Sequence, residues 1–250
     1  MLAKRIIPTI LTRGRQMVKG VKYDSWRSVG LAAQAVRVHS MRGVDELVLL
    51  DISATAEGRG PDLKLVEELA EVCYMPLAVG GGIRKLQDVQ DLLNAGADKV
   101  VVGTAGFDDG KLLQQISGKY GNQVLVLSID VKQGRIATHS GGWIRDTHPT
   151  IGVRNQAIGA EGNGVGEILL NSIDREGTLE GYDLDLIRQV SSAVNIPVIA
   201  SCGAGTYEHM RQAIEAGADA VAAASIFLFT DATPKGAAQY LLDHGIEARL

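Results

Sequence analysis

Cysteine is scarce in this sequence, and long apolar runs are absent. The two cysteines among 250 residues, Cys73 and Cys202, follow no metal-ligand spacing, so we expect free thiols rather than a disulfide or a zinc site. No apolar run approaches the ~20 residues needed to span a bilayer. The opening "MLAKRIIPTI" enters a strand-like run without the apolar segment of a signal peptide. These absences argue against a membrane protein and predict a cytoplasmic one.

An excess of positive charge is lacking as well. The formal net charge of -4 gives no support for the clustered basic face of a nucleic-acid-binding protein. Apolar residues make up 46% and charged residues 22%, which favours a globular protein with a sizeable core over disorder. The length alone suits either two small domains or one large α/β barrel.

Short apolar runs decide between these folds. Near-continuous hydrophobicity over five to seven residues is typical of strands covered on both faces, as in parallel sheets. Helix-period segments lie between the runs, among them "KLQDVQDLLNAG", which ends at Gly96 in a C′ position. Eight strands alternating with helices predict an α/β fold, a (β/α)₈ TIM barrel formed as one domain over residues 1–250. Its weakest unit is the fifth helix, where "GVRNQAIGAEGNG" is rich in glycine. The eight runs are "KRIIPTI", "ELVLLDI", "PLAVGG", "DKVVVG", "QVLVLSID", "GEILLNSID", "IPVIAS" and "DAVAAAS".

The two halves of the chain resemble each other. "AGADKVVVGTA" from Ala95 matches "AGADAVAAASI" from Ala216, an offset of 121 residues. The same offset pairs Pro76 with Pro197, Asp51 with Ser172 and Glu46 with Glu167, which indicates two (β/α)₄ half-repeats. At an offset of 119 residues "TILTRGR" matches "SIDVKQGR", so that Leu11 is the counterpart of Asp130.

Glycines and hydroxyls follow four of the predicted strands. Barrel active sites form at the C-terminal strand ends, where glycines let the main chain approach an anion and hydroxyls donate to it. The repeat places the two sets on opposite sides of one mouth, which suits a ligand with a phosphate at each end. The alternative is that these glycines only relieve crowding at barrel turns. The first set is Gly82, Gly103 and Thr104, and the second is Gly203, Ala224 and Ser225, with Gly177 in the loop "SIDREGT".

A carboxylate at the end of the fifth strand completes this mouth. Asp130 can transfer protons as a general acid or base, or it can merely cap a loop. Asp51 and Asp174 are further candidates at strand ends. The five histidines are scattered and form no convincing metal cluster, so we expect neither a metal nor a cofactor.

Four charged residues fall at the starts of predicted strands. They are Arg5, Glu46, Lys99 and Glu167, whose charges cancel. The strand phase aims them at the barrel floor, where they either seal the bottom as a ring of salt bridges or form a gate for a small polar molecule.

The sequence resembles a known family, the HisF-type cyclase subunit of imidazole glycerol phosphate synthase. "MLAKRIIP", "DELVLLDI", "VGGGI", "GEILLNSIDREGTLEGYD" and "AGADAVAAAS" carry the resemblance over almost the whole chain. It implies a (β/α)₈ barrel that receives ammonia from a class-I glutaminase of HisH type at its floor. It also implies that the barrel cleaves and cyclises a bis-phosphorylated ribonucleotide at its mouth. The gate and phosphate positions match those named above, and Asp130 matches one of two catalytic aspartates.

The departures from the family lie at the mouth. Leu11 stands at the position of the other catalytic aspartate, Gly103 at that of an asparagine, and Cys202 at that of a glycine in a phosphate loop. The sequence also resembles a diverged HisF-like branch that is linked to acetamidino-sugar formation, in which the barrel supplies ammonia to a sugar amidotransferase. Three hypotheses follow: a diverged paralogue in ammonia delivery with weak or lost cyclase activity, a working histidine-pathway cyclase, and a non-enzymatic scaffold that activates the glutaminase.

Overall fold

The computed structural model describes residues 3–108, 110–145, 148–149 and 151–249. Its strands are β1 Arg5–Arg13, β2 Gln16–Val21, β3 Asp24–Leu31, β4 Leu47–Asp51, β5 Leu77–Gly80, β6 Lys99–Val102, β7 Leu125–Lys132, β8 Arg135–Thr138, β9 Trp143–Ile144, β10 Glu167–Ser172, β11 Val198–Ser201 and β12 Ala220–Ala223. Its helices are α1 Ala32–Met41, α2 Leu63–Ala70, α3 Leu86–Asn94, α4 Thr104–Asp108, α5 Gly110–Tyr120, α6 Ile151–Gly162, α7 Leu184–Ser191, α8 Tyr207–Glu215, α9 Ser225–Phe229 and α10 Pro234–Asp243. Two short 3₁₀ turns cover Asn122–Val124 and Ile173–Arg175.

Eight of these strands close into a parallel barrel. The order is β1, β4, β5, β6, β7, β10, β11 and β12, and β12 pairs in parallel with β1 to close the ring. Every barrel strand lies within or overlaps one of the eight apolar runs of the sequence. The predicted (β/α)₈ fold is therefore confirmed.

The half-repeat recurs in the hydrogen bonds that join strands to turns. Asp98 Oδ2 accepts from the Leu77 amide at 2.8 Å, and 121 residues later Asp219 Oδ2 accepts from the Val198 amide at 3.1 Å. Gly96 occupies the C′ position of α3 with φ +103°, where a Cβ would lie 2.6 Å from Ala70. The turn from helix to strand is therefore held by an equivalent aspartate–amide hydrogen bond in both halves.

Two antiparallel hairpins were not predicted from the sequence. β2 and β3 form an antiparallel ribbon after β1, and β8 and β9 form another after β7. Both follow the C-terminal ends of barrel strands, so they lie over the mouth. The glycine-rich fifth helix forms as α6, because Val153, Ala157 and Ala160 face inward while Gly159 and Gly162 have open space around them.

The apolar core has two parts. The larger part lies between the sheet and the helices, and the smaller fills the barrel interior. Alternate strand residues supply both, which explains why the strands are hydrophobic without a break. In the described part of the chain, no helix has the length and apolar character needed to cross a bilayer. The interior layer consists of Ile7, Val48, Ala78, Val101, Val126, Leu169, Ile199, Ala220 and Ala222.

One titratable side chain is buried in the part of the core between the sheet and the helices. His39 on α1 is 7% exposed, and its ring meets the edge of Phe227 at a centroid distance of 6.3 Å. Burial, with the charge of Arg42 adding to it, lowers the pKa of His39 from 6.5 to about 4. The folded protein therefore holds this imidazole neutral at pH values where the unfolded chain protonates it.

We predict that this histidine weakens the fold in acid. Above pH 6.5 His39 is neutral in both states and does not change the free energy of unfolding. As the pH falls from 6.5 to 4, the unfolded chain binds a proton that the folded protein does not, and the free energy of unfolding decreases by up to about 3 kcal/mol. Urea unfolding of wild type and His39→Leu at several pH values should show a shallower decline for the variant. The exposed His244→Asn is the control, and an unchanged slope in His39→Leu would contradict the assignment.

Candidate functional site

The mouth of the barrel contains two adjoining cavities. The first has a volume of about 470 Å³ and is lined by Asp130 together with Gly82, Gly103 and Thr104. The second, of about 50 Å³, is lined by Gly177, Gly203, Ala224 and Ser225. The structure thus groups the two sets of residues predicted from the sequence as two neighbouring pockets. Leu11, Tyr23 and Leu50 line both cavities and mark the boundary between them.

Asp130 lies near the end of β7, where it is half-buried in the wall of the first cavity. Its Oδ1 accepts hydrogen bonds from Asn171 Nδ2 at 2.8 Å, Ser128 Oγ at 3.1 Å and the Tyr23 hydroxyl at 3.4 Å. Burial raises the pKa of Asp130, and the three hydrogen bonds oppose that rise. A raised pKa makes this carboxylate a stronger base than a free aspartate, which suits it to general acid or base chemistry.

Leu11 occupies the corresponding place on β1. It is 9% exposed and pairs with Leu50 on β4. The half-repeat that supplies a carboxylate at Asp130 therefore supplies only an apolar side chain on the other side of the mouth. Proton transfer from this second position is chemically impossible.

The glycines of the mouth serve different purposes. At Gly82 (φ +76°) a Cβ would lie 2.8 Å from the Arg59 carbonyl oxygen, and at Gly203 (φ +102°) it would lie 2.2 Å from that of Gly181. These two glycines are required by close backbone packing. Gly103 has open space around it, so a side chain there would project without a clash. Gly177 packs against the carbonyl oxygen of Gly20 and is explained by the hairpin above it.

Hydroxyl groups border both cavities. Thr104 Oγ1 accepts from the His139 amide at 2.9 Å, which leaves its own hydrogen free to donate. Ser225 is 8% exposed and stands at the start of α9 in the second cavity. The first turns of α4 and α9 also leave backbone N–H groups without intrahelical partners.

A buried ion pair beside the second cavity was missed by the sequence analysis. Lys19 on β2 is 5% exposed and pairs with Glu176, which is 3% exposed. Burial lowers the pKa of Lys19 to about 8. The nearby Cys202 has φ +78°, and burial raises the pKa of its thiol to about 11. No local sequence pattern predicts this pair, because the β2–β3 hairpin is what brings Lys19 to Glu176.

The other acidic candidates hold loops together. Asp51 Oδ2 forms an ion pair with Arg59 Nη2 at 2.7 Å, and its Oδ1 accepts from the Ser53 amide. Asp174 Oδ2 accepts from the Gln133 amide at 2.6 Å and so ties the β7–β8 turn to the loop after β10.

Metal ligands and disulfides are not features of this site. Among the residues that the structure describes, no three His, Cys, Asp or Glu side chains are grouped closely enough to hold a metal ion. Cys73 and Cys202 are both free thiols.

A ring of charge closes the opposite end of the barrel. Arg5 donates to Glu46 at 2.7 Å and to Glu167 at 3.0 Å. Lys99 completes the ring with Glu46 at 2.9 Å and Glu167 at 3.1 Å. Burial lowers the pKa of Arg5, but the charges of Glu167 and Glu46 outweigh it and leave the pKa raised. The four residues predicted for the floor thus meet as two cations and two anions.

The ring also has one unsatisfied oxygen. Glu46 is 2% exposed, and its Oε1 has no hydrogen-bond partner among the described residues. Both cations bind the other oxygen, Oε2. A small hydrogen-bond donor entering the floor would therefore find a free carboxylate oxygen.

These features define a class: a closed (β/α)₈ barrel with an acid and two pockets at its mouth and an ionic ring at its floor. The chain belongs to a particular family of such barrels, since the model for "Histidine biosynthesis protein" matches residues 5–233. Over its full length it is similar to imidazole glycerol phosphate synthase subunit HisF of Dictyoglomus thermophilum (44% identity) and of Exiguobacterium sibiricum (43%), covering 100% of each chain. The resemblance to the HisF type is confirmed.

We predict that removing one cation of the ring destabilises the barrel. Lys99→Met leaves two carboxylates facing Arg5 alone, at a cost of about 3 kcal/mol of unfolding free energy. Adding Glu167→Gln restores the charge balance and should recover part of the loss. Urea unfolding of both variants measures this. Equal stability of Lys99→Met and wild type would show that the ring carries no net electrostatic stabilisation.

Proposed function

We propose that this chain is a HisF-type subunit that receives ammonia from a class-I glutaminase and brings it to a bis-phosphorylated ligand at its mouth. The observation that carries the proposal is the arrangement along one barrel: an ionic ring at the floor, an apolar layer in the interior, and two adjoining pockets at the mouth, the first of them lined by an acid. The relatives bear the name imidazole glycerol phosphate synthase subunit HisF, which supports the same assignment.

The floor suits the entry of a small neutral molecule. Ammonia that reaches Arg5 and Lys99 from below can donate to the free Oε1 of Glu46 while one ion pair opens. Beyond the ring, the described residues include a layer of aliphatic side chains such as Val48, Ala78 and Val101. Such a lining does not retain or protonate ammonia, so the molecule arrives at the mouth as a nucleophile.

The mouth suits a ligand with a phosphate at each end. Thr104 and the open surface at Gly103 border the first pocket, and Ser225 and Gly203 border the second. Lys19 and its ion-pair partner Glu176 both line the second pocket and balance each other in charge, so the hydroxyl of Ser225 and the backbone N–H groups there are the donors to a phosphate. Asp130 lines the first pocket, where it transfers the protons that cleavage and ring closure of a ribonucleotide require. No cofactor is needed for this chemistry.

Leu11 decides how fast the reaction runs. A positioned general acid or base contributes ~10² to 10⁴-fold in rate, and the β1 side of the mouth lacks one. We therefore propose that turnover to imidazole glycerol phosphate and its aminoimidazole co-product is slow. The intact ring and altered mouth favour a diverged paralogue whose ammonia also serves acetamidino-sugar synthesis through a sugar amidotransferase. A working histidine-pathway cyclase is the second candidate, favoured by the full hydrogen-bond set of Asp130.

We predict that Leu11→Asp raises cyclase turnover at least tenfold, because it restores on β1 the carboxylate that β7 keeps at Asp130. The measurement is steady-state kinetics with the bis-phosphorylated ribonucleotide and an ammonium salt, so that no glutaminase is needed. Asp130→Asn should abolish the gain. Leu50→Asp places a carboxylate on the neighbouring strand and is the matched control, with no gain expected.

Two results separate the candidates. Turnover by wild type that Leu11→Asp does not improve would identify a working cyclase in which Asp130 suffices. No turnover by either protein would exclude the cyclase and leave ammonia delivery or a scaffold role, which the glutaminase experiment below tests.

The glutaminase docks, in this proposal, around the floor. α1 and α2 end on that side, and they leave Met41 82% and Tyr74 88% exposed. The Tyr74 amide donates to Ser40 Oγ at 3.3 Å, which joins the residues after α2 to the end of α1. An exposed aromatic residue next to an apolar one is typical of an interface hot spot.

We predict that Tyr74→Asp lowers the stimulation of glutamine hydrolysis at least tenfold when the barrel is mixed with the HisH-type glutaminase of the same genome. Burying the new charge against a partner is costly, whereas the folded barrel tolerates it at the surface. Ile158→Asp, on the exposed face of α6, is the control. Undiminished stimulation by Tyr74→Asp would exclude this face, and absence of stimulation by wild type would exclude the glutaminase partner.

A further inference from the structure

Tyr23 is the one residue of the β2–β3 turn that reaches Asp130 in the described structure. Its hydroxyl lies 3.4 Å from Asp130 Oδ1. Its side chain lines both mouth cavities, as does that of Leu11. A residue of the hairpin turn thus lies at the boundary of the two cavities, where β1 places the apolar Leu11.

The turn that carries Tyr23 is strained and held in place. Lys22, Tyr23 and Ser25 all have positive φ values, of 53°, 61° and 53°. Residues other than glycine in this region cost of order 1–3 kcal/mol each and persist only where their surroundings hold them. The surroundings do so here, because the Lys22 amide donates to the Glu176 carbonyl at 3.0 Å and Tyr23 packs beside Gly141.

The hydrogen bonds to Asp130 are distributed unevenly. Asn171, Ser128 and Tyr23 all donate to Oδ1, and Oδ2 accepts none from the described residues. Three donors on one oxygen fix the rotation of the carboxylate. Oδ2 is then the oxygen left to exchange a proton with a ligand in the first cavity.

We infer that Tyr23 is a positioning residue for Asp130, and that its hydroxyl, delivered by the β2–β3 hairpin, is the polar partner that Leu11 on β1 does not provide. The inference rests on the proposed function, in which Asp130 transfers the protons.

The electrostatic surroundings agree with a donor role. Burial and the charge of Asp130 raise the pKa of the Tyr23 phenol well above its usual range, so the hydroxyl stays protonated. Its hydrogen bond in turn lowers the pKa of Asp130 against the effect of burial. The other ionisable groups near this carboxylate are Cys202 after β11, with the Lys19–Glu176 pair beside it, and the further residues that line the first cavity, Asp51, Arg84, Asp108 and His139.

Tyr23→Phe tests the inference in the ligand-free protein first. Loss of the hydrogen bond should raise the pKa of Asp130 by about one unit. Carbon-detected NMR titration of the Asp130 carboxyl group, assigned with Asp130→Asn, measures the shift without any turnover. Tyr240→Phe is the matched control, because it removes a tyrosine–carboxylate hydrogen bond, to Glu208 at 3.0 Å, on the outer helices.

Kinetics with the bis-phosphorylated ribonucleotide and ammonium salt give the second readout. If wild type turns over, Tyr23→Phe should lower kcat at least tenfold and change KM less than threefold. Since the ionised carboxylate is the active form of the base, a raised pKa moves the acidic limb of the kcat–pH profile to higher pH. Tyr240→Phe should alter neither.

The two proposals fail in different ways. Absence of turnover by wild type overturns the proposed cyclase activity alone, and the NMR shift then still decides the role of Tyr23. An unchanged Asp130 pKa in Tyr23→Phe overturns the inference, as does an unchanged kcat in an active protein. A shift together with loss of kcat, and neither in Tyr240→Phe, supports it.

Discussion

Parallel pairing between β1 and β12 joins Arg5–Pro8 to Ala220–Ala223 and makes a closed barrel of what would otherwise be an open sheet. The rest of the structure depends on this closure. Because all eight strands run in one direction around the ring, their first residues meet at the floor and their last residues meet at the mouth. The ionic ring and the two cavities are therefore consequences of strand direction as much as of side-chain chemistry.

The interior connects two polar ends through an apolar column. At the floor, two cations and two carboxylates balance each other, which makes their burial tolerable. At the mouth, Asp130 and Lys19 each have partners of their own. Between them the barrel needs no polar group, and a column of aliphatic side chains both packs the core and offers no site at which a small neutral molecule would be held.

The two halves of the barrel share a backbone plan but have diverged at the mouth. Equivalent hydrogen bonds at Asp98 and Asp219 show how closely the turns still agree. The strand-end pair of Leu11 and Asp130 shows where they differ. The hairpin after β1 brings the Tyr23 hydroxyl within 3.4 Å of Asp130 Oδ1. In such barrels the strands commonly provide a rigid scaffold, and the loops at the mouth provide side chains that vary between proteins.

The sequence by itself determined the barrel, its eight strands, the half-repeat, the four charged residues of the floor and the strand-end residues of both pockets, because each follows from apolar periodicity or from its place at a strand end. It did not reveal the β2–β3 and β8–β9 hairpins, whose residues show neither a clean alternation nor a helical period. It also could not bring Tyr23 and Asn171 to Asp130, or Lys19 to Glu176. Those contacts join residues 41 to 157 positions apart, and their distances depend on how the closed barrel sets neighbouring strands and folds a loop across its mouth. Only the tertiary structure decides such distances, because no local pattern in the chain encodes them.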